Sequence, residues 1–77
     1  MKITYDRRAD AMYIDFRPDS AEVMTKEIVE GTIFFDYDGE RLAGIEILDA
    51  SKVLADPAAF RDVTLENLGE ARLGKDA

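Results

Sequence analysis

The 77-residue sequence contains no cysteine and no histidine. Without cysteine there is no disulfide to hold a small fold together. Without either residue an ordinary structural zinc site is excluded. The same two absences remove the common nucleophile–base pairs, because no imidazole is available to activate a serine or a thiol. Basic residues are scarce as well: 10 Lys and Arg stand against 17 Asp and Glu, for a formal net charge of −7. Nucleic-acid binding relies on Lys and Arg at the phosphates, and no basic cluster exceeds Arg7-Arg8, so no nucleic-acid partner is expected. An acidic surface favours solubility and encounter with basic partners. No apolar run approaches the roughly 18 residues of a membrane span. The opening Met1-Lys-Ile-Thr-Tyr-Asp6 has no signal-peptide apolar region. No membrane contact and a cytoplasmic location are therefore expected.

A chain this short forms one domain. It buries only roughly 60–70% of the surface its unfolded form exposes. A core of that size rarely contributes more than about 3–5 kcal/mol unless something staples it. With disulfides and zinc excluded, the remaining routes are unusually good packing or oligomerisation. The pattern below favours oligomerisation, with a dimer preferred.

Lys2 to Tyr5 alternates, with Ile3 and Tyr5 on one face, and reads as a short strand. Asp6 to Asp10 is a polar turn in which Asp6 suits the first position. Ala11 to Phe16 reads as a second strand, with Met12, Ile14 and Phe16 on one face; it stops before Pro18. Val23 to Val29 is a third strand. Lys26 and Glu27 at its middle mark it as an edge, where charge discourages chain-to-chain pairing.

The stretch from Gly31 to Ser51 is the most informative. Asp36-Tyr-Asp-Gly39 fits a type I turn with Asp first and Gly fourth, followed by a bulge at Gly39. That loop would place Phe34 opposite Leu42 and Ile33 opposite Ala43. One face then carries Ile33, Phe35, Ala43, Ile45 and Ile47. The other carries Thr32, Phe34, Leu42, Gly44, Glu46 and Leu48. A bare two-residue turn would shift the register by one and separate Ile45 and Ile47 from Ile33 and Phe35. Phe34, Leu42 and Leu48 are too apolar for a solvated face, so a cover is expected over them.

Asp49 or Ser51 is expected to cap a short helix over Ala50 to Ala55. A second turn over Asp56 to Phe60 starts with Pro57 at its first helical position. Thr64 to Gly69 is a candidate for one further helical turn. The expected fold class is α+β, mainly β: an antiparallel meander of about five strands followed by one or two short C-terminal helices. The domain is expected over residues 1–60, with 61–77 as a partly ordered tail.

Tyr5-Asp6 followed by Ala9-Asp-Ala-Met-Tyr-Ile14, and then Asp36-Tyr37-Asp38 with Leu42-Ala-Gly-Ile-Glu-Ile-Leu-Asp-Ala-Ser51, form two blocks in order. They resemble the "YDxxADALYI" and "DYDxxGxLVGIEILDAS" blocks of a family of short bacterial proteins catalogued as a domain of unknown function. The resemblance covers about residues 2 to 54. This chain departs in a shorter loop between Asp38 and Leu42, and in Arg7-Arg8 where the family often has Pro-Glu. The resemblance implies a small, largely β domain and assigns no functional residue. Some members resemble products encoded beside small toxins, which implies an antitoxin-like role.

Other motifs reduce to structural roles. Asp36-x-Asp38-Gly39-Glu40 starts like a calcium loop, but an EF-hand needs Gly at its sixth position and Glu at its twelfth. Those positions hold Arg41 and Ile47. Asp6, Asp10 and Asp15 are turn or cap carboxylates rather than an acid–base pair, which needs a shared pocket and divergent pKa values. Asp49-Ala-Ser51 offers no base for a serine nucleophile. Glu46 sits among apolar residues, where a salt bridge or a partner's cation would hold it. No catalytic, cofactor-binding or metal-ligating residue is assigned, and no cofactor is implied.

The expected function is a non-catalytic, self-associating protein-interaction module. Its expected contact residues are Phe34, Leu42, Glu46, Leu48, Val53, Phe60 and Leu65. Burying three large apolar side chains there would contribute roughly 5–8 kcal/mol before association costs. Two alternatives are an antitoxin-like acidic partner of a small basic toxin, and a carboxylate-based hydrolase or divalent-metal site at a dimer seam.

Overall fold

The computed structural model describes residues 1–17, 22–56 and 62–66. Five strands form one antiparallel sheet: β1 (Lys2–Asp6), β2 (Ala11–Asp15), β3 (Met24–Val29), β4 (Ile33–Asp38) and β5 (Arg41–Leu48). One helical turn follows, α1 (Ala50–Val53). The extended residue Leu54 ends it, short of the expected Ala55. The second turn expected over Asp56 to Phe60 falls largely outside the described residues. Residues 62–66 carry no helix, and the rest of the expected turn ending at Gly69 lies outside the described residues.

The strand order is β1-β2-β5-β4-β3, so the sheet is not the sequential meander expected from sequence. The hairpin β1–β2 and the run β3–β4–β5 are each sequential, but β5 docks beside β2 and sends β3 to the far edge. Composition explains the exchange. β5 is the longest strand and supplies the buried Ala43 and Ile47; a central place gives it a partner on each side. Every residue of β3 is exposed, and Lys26 and Glu27 suit an edge.

The β4–β5 register also differs from expectation. Asp38 lies opposite Arg41, so the loop is the two residues Gly39-Glu40. Gly39 has φ +63°, and glycine is the residue such a loop takes at its first position. Farther along, Tyr37 faces Leu42 while Asp36 faces Gly44, which leaves Ala43 as an extra residue in β5. The odd residue demanded by the apolar pattern is therefore present, but as a bulge inside β5 rather than at the loop. Ile33 consequently lies opposite Ile47, not Ala43.

Residues directly opposite each other share a sheet face. The pairings put Ile3, Tyr5, Met12, Ile14, Ile33, Phe35, Ile45 and Ile47 on a first face. Thr4, Tyr13, Phe34, Asp36, Gly44 and Glu46 lie on the second. Leu42 pairs with Tyr37 and so joins the first face, not the second as the pairing with its bulge at Gly39 implied. Helix α1 sits over one end of the first face. There Met12, Ile47 and the fully buried Ala50 form the core, with Ile3, Tyr5, Ile14, Ile45 and Leu54 packed around them. Among the described residues only these three and Ala43 are buried apolar side chains.

Because so few residues form the core, each carries a large share of stability. Ile47→Ala is expected to lower the unfolding free energy by about 3 kcal/mol. Val29→Ala, at the exposed edge, is expected to stay within about 0.5 kcal/mol. Urea denaturation followed by circular dichroism measures both.

Candidate functional site

Two polar constellations and one apolar surface are the places where function could reside. The first constellation centres on Asp10. The β1–β2 turn brings Asp10 into the left-handed region at φ 52°, a conformation Asp tolerates better than most residues. Its backbone carbonyl then accepts a hydrogen bond from the Ala50 amide at 2.9 Å. Its carboxylate accepts three more: from the Tyr5 hydroxyl at 2.7 Å, from the Ser51 amide at 3.0 Å and from Ser51 Oγ at 2.7 Å.

Asp10 thus caps a helix 41 residues downstream. The nearby residue expected to do so, Asp49, occupies the cap position with φ 53° but makes no side-chain cap bond. Ser51 is a donor to Asp10 rather than the cap acceptor expected. Asp6 fills its expected turn role, its Oδ1 accepting from the amides of Arg8 at 2.9 Å and Ala9 at 3.3 Å. The Ser51 and Tyr5 hydroxyls hold the Asp10 carboxyl below the usual carboxylate range, burial opposing them. The hydrogen bond to Asp10 in turn raises the Tyr5 phenol.

The second constellation crosses the second face. Gly44 lies between Asp15 on β2 and Asp36 on β4. Its missing side chain leaves room for the Tyr13 ring: a Cβ there would stand 2.5 Å from Tyr13 Cζ, closer still to the hydroxyl, and 3.1 Å from the Ile14 carbonyl oxygen. Lying across that gap, Tyr13 donates to Asp36 Oδ2 at 2.8 Å. Thr25 of β3 donates to the other oxygen, Oδ1, at 2.6 Å. One polar line therefore runs from β2 to β3, with the Asp36 carboxylate shared at its centre. Desolvation, then the Asp36 carboxylate, push the Tyr13 phenol up to about 12. A phenol held in that state is a hydrogen-bond donor, not a base.

In both constellations the carboxylate already holds internal donors. Beyond them, Arg17 pairs with Asp38 across the end of the sheet. Among the described residues no three acidic side chains gather to hold a metal ion. Also among them, no helix is long and apolar enough to cross a membrane.

The residues expected to form a contact surface are dispersed. Phe34 and Glu46 face each other on the second face, and Leu48 lies opposite Ala11 on that same face. Tyr13 flanks Glu46 from the other side. Leu42 is on the first face. Val53 on α1 and Leu65 beyond it are exposed, and Phe60 lies outside the described residues. Sequence reasoning missed the open end of the first face. There the Phe35 and Tyr37 rings meet edge to face, 6.3 Å between centroids, with Leu42 and the exposed Met24 both opposite Tyr37. Phe16, which continues the alternation of Met12 and Ile14, is exposed as well.

The molecule is a mainly β domain built on one five-stranded antiparallel sheet. A family model for proteins of unknown function, DUF2283, matches residues 2–51, and the chain belongs to that family. The matched segment runs from β1 to Ser51 and holds both constellations. Searches of curated proteins and of solved structures found no match.

Two predictions follow from these geometries. Asp10→Asn is expected to lower the melting temperature at neutral pH by several degrees. A carboxylate favoured in the folded state contributes stability that is present above the unfolded pKa of about 3.8 and is lost as pH falls through the lower folded value. Thermal melts from pH 7 to pH 2 should therefore show the variant losing less stability on acidification than the parent. Gly44→Ala forces Tyr13 off Asp36 and is expected to cost about 2 kcal/mol. Tyr13→Phe is expected to cost only about 1 kcal/mol. It should also flatten the parent's stability loss as pH rises from 10 towards 12, as read by denaturant titration at fixed pH values.

Proposed function

We propose that this domain is a cytoplasmic, non-catalytic protein-interaction module that self-associates through the open end of its first sheet face. The observation that carries the reading is the second layer, which among the described residues covers one end of the first face. Stable domains bury a sheet's apolar face against another layer. Here the described residues supply one helical turn, α1, at the Met12–Ile47 end. At the other end Met24 and Leu42 are exposed opposite Tyr37, and Phe16 is exposed just past the end of β2. A second copy offers a matching apolar face, and stacked sheets pack about 10 Å apart by interleaving such side chains.

A second reading, an acidic antitoxin-like partner for a small basic protein, draws support from the other face. Asp15, Glu27, Asp36 and Glu46 share it with Lys2. It calls for binding that weakens steeply with salt, where the apolar reading calls for little salt dependence.

Met24 and Leu42 are exposed, so replacing them tests the contact without emptying the core. The parent is expected to sediment above monomer mass at micromolar concentration. Met24→Asp combined with Leu42→Asp should lower that mass while leaving the far-ultraviolet circular dichroism unchanged. An unchanged mass in the folded double variant would rule the face out as the contact.

A further inference from the structure

Among the described residues the sheet has two edges, β1 and β3, and they differ in what they could accept. An exposed edge is a row of unpaired backbone groups ready for another strand. A second copy added antiparallel about a two-fold axis perpendicular to the sheet keeps each face on its own side. Only residues of the same face can then stand opposite each other, which limits the registers to those centred on a residue.

For β3 the two registers that engage most of the strand centre on Lys26 or on Glu27. The first sets Lys26 against its own copy, the second sets Glu27 against its own copy, and like charges directly opposite are unfavourable. The bulge between Glu27 and Val29 interrupts the edge as well. For β1 the register centred on Thr4 engages all five residues. It sets Lys2 opposite Asp6 of the second copy, Ile3 opposite Tyr5, and Thr4 opposite Thr4. Opposite charges, an aromatic with a β-branched side chain, and paired threonines are the favourable cross-strand combinations. Lys2, Thr4 and Asp6 are all exposed. Asp6 uses only Oδ1 in its own turn, which leaves Oδ2 for the ammonium group. Lys2 faces Asp15 within its own sheet and has three donors to divide between the two carboxylates.

We propose that two copies of this chain join along β1, in the register centred on Thr4, into one ten-stranded antiparallel sheet. This rests on the self-association proposed above but uses a different surface. The edge contact is isologous, and it makes the two first faces continuous, with Ile3 and Tyr5 of each copy at the seam. Pairing two such sheets through their apolar faces then gives a tetramer of dihedral symmetry.

The test is charge exchange. Lys2→Glu and Asp6→Lys each place like charges opposite one another twice at the seam. Each is expected to weaken the edge contact at least about tenfold and to halve the assembled mass in sedimentation. An equimolar mixture of the two restores both opposite-charge pairs, and the parent mass should return. Because the chain has no cysteine, Thr4→Cys supplies a single thiol at an exposed site. A short thiol cross-linker should join two copies through it, independently of any effect of Asp6→Lys on the turn. Assemblies that ignore Lys2→Glu and leave Thr4→Cys uncross-linked, yet cross-link through Met24→Cys, would overturn the edge while upholding the face. Rescue in the mixture together with a mass indifferent to Met24→Asp and Leu42→Asp would uphold the edge and overturn the face. A parent that is monomeric throughout the micromolar range would overturn both.

Discussion

The structure depends on the Asp10 carboxylate. One residue in a left-handed turn gathers the Tyr5 hydroxyl of β1 and both the amide and hydroxyl of Ser51. Its own carbonyl receives Ala50. A helix of one turn has no independent stability, since nucleation fixes several residues for a single hydrogen bond. Asp10 supplies what the turn lacks, a partner for amides at the helix start. In doing so it fixes Ala50, the most buried residue, over Met12 and Ile47. Core and cap are thus one construction: the hydrogen bonds place the helix, and the helix closes the core.

The second constraint is the bulge at Ala43. It changes the phase of β5 between Leu42 and Gly44, which lets the short Gly39-Glu40 loop coexist with matched apolar faces. It also sends Leu42 to the apolar face and brings Gly44 opposite Asp36. There the absence of a side chain admits Tyr13, whose hydroxyl completes the line to Asp36 and Thr25. Backbone phase and polar contact depend on each other. Removing the bulge would move Gly44 out from under the Tyr13 ring.

What the sequence made legible was local. Strand positions, the charged edge at β3, the Asp6 turn and the need for an odd residue in the last hairpin all follow from two-residue alternation and turn chemistry. Three things were not legible. Strand order was missed because alternation shows which residues share a face but not which strands are neighbours. The helix cap was missed because Asp49 had the right local position, while Asp10 has no sequence relation to Ser51 at 41 residues' distance. The face of Leu42 was misassigned because the bulge was placed in the loop, and one residue of phase decides on which face it lies.

These constraints also locate the unsatisfied part of the molecule. Asp10 and Asp36 each hold two or more donors, and Glu27 accepts from the Gly31 amide at 2.7 Å. Among the described residues, helical cover over the first face comes from α1 at the Met12–Ile47 end. Among the described residues the Asp10 and Asp36 carboxylates hold internal donors, while Phe16, Met24 and Leu42 stay exposed. Sheet edges pair with further backbone and apolar sheet faces pack against a second layer, which is the physical basis of the self-association proposed above. Among the described residues the Asp10 and Asp36 networks use their polar groups for contacts between elements of the sheet and the helix start.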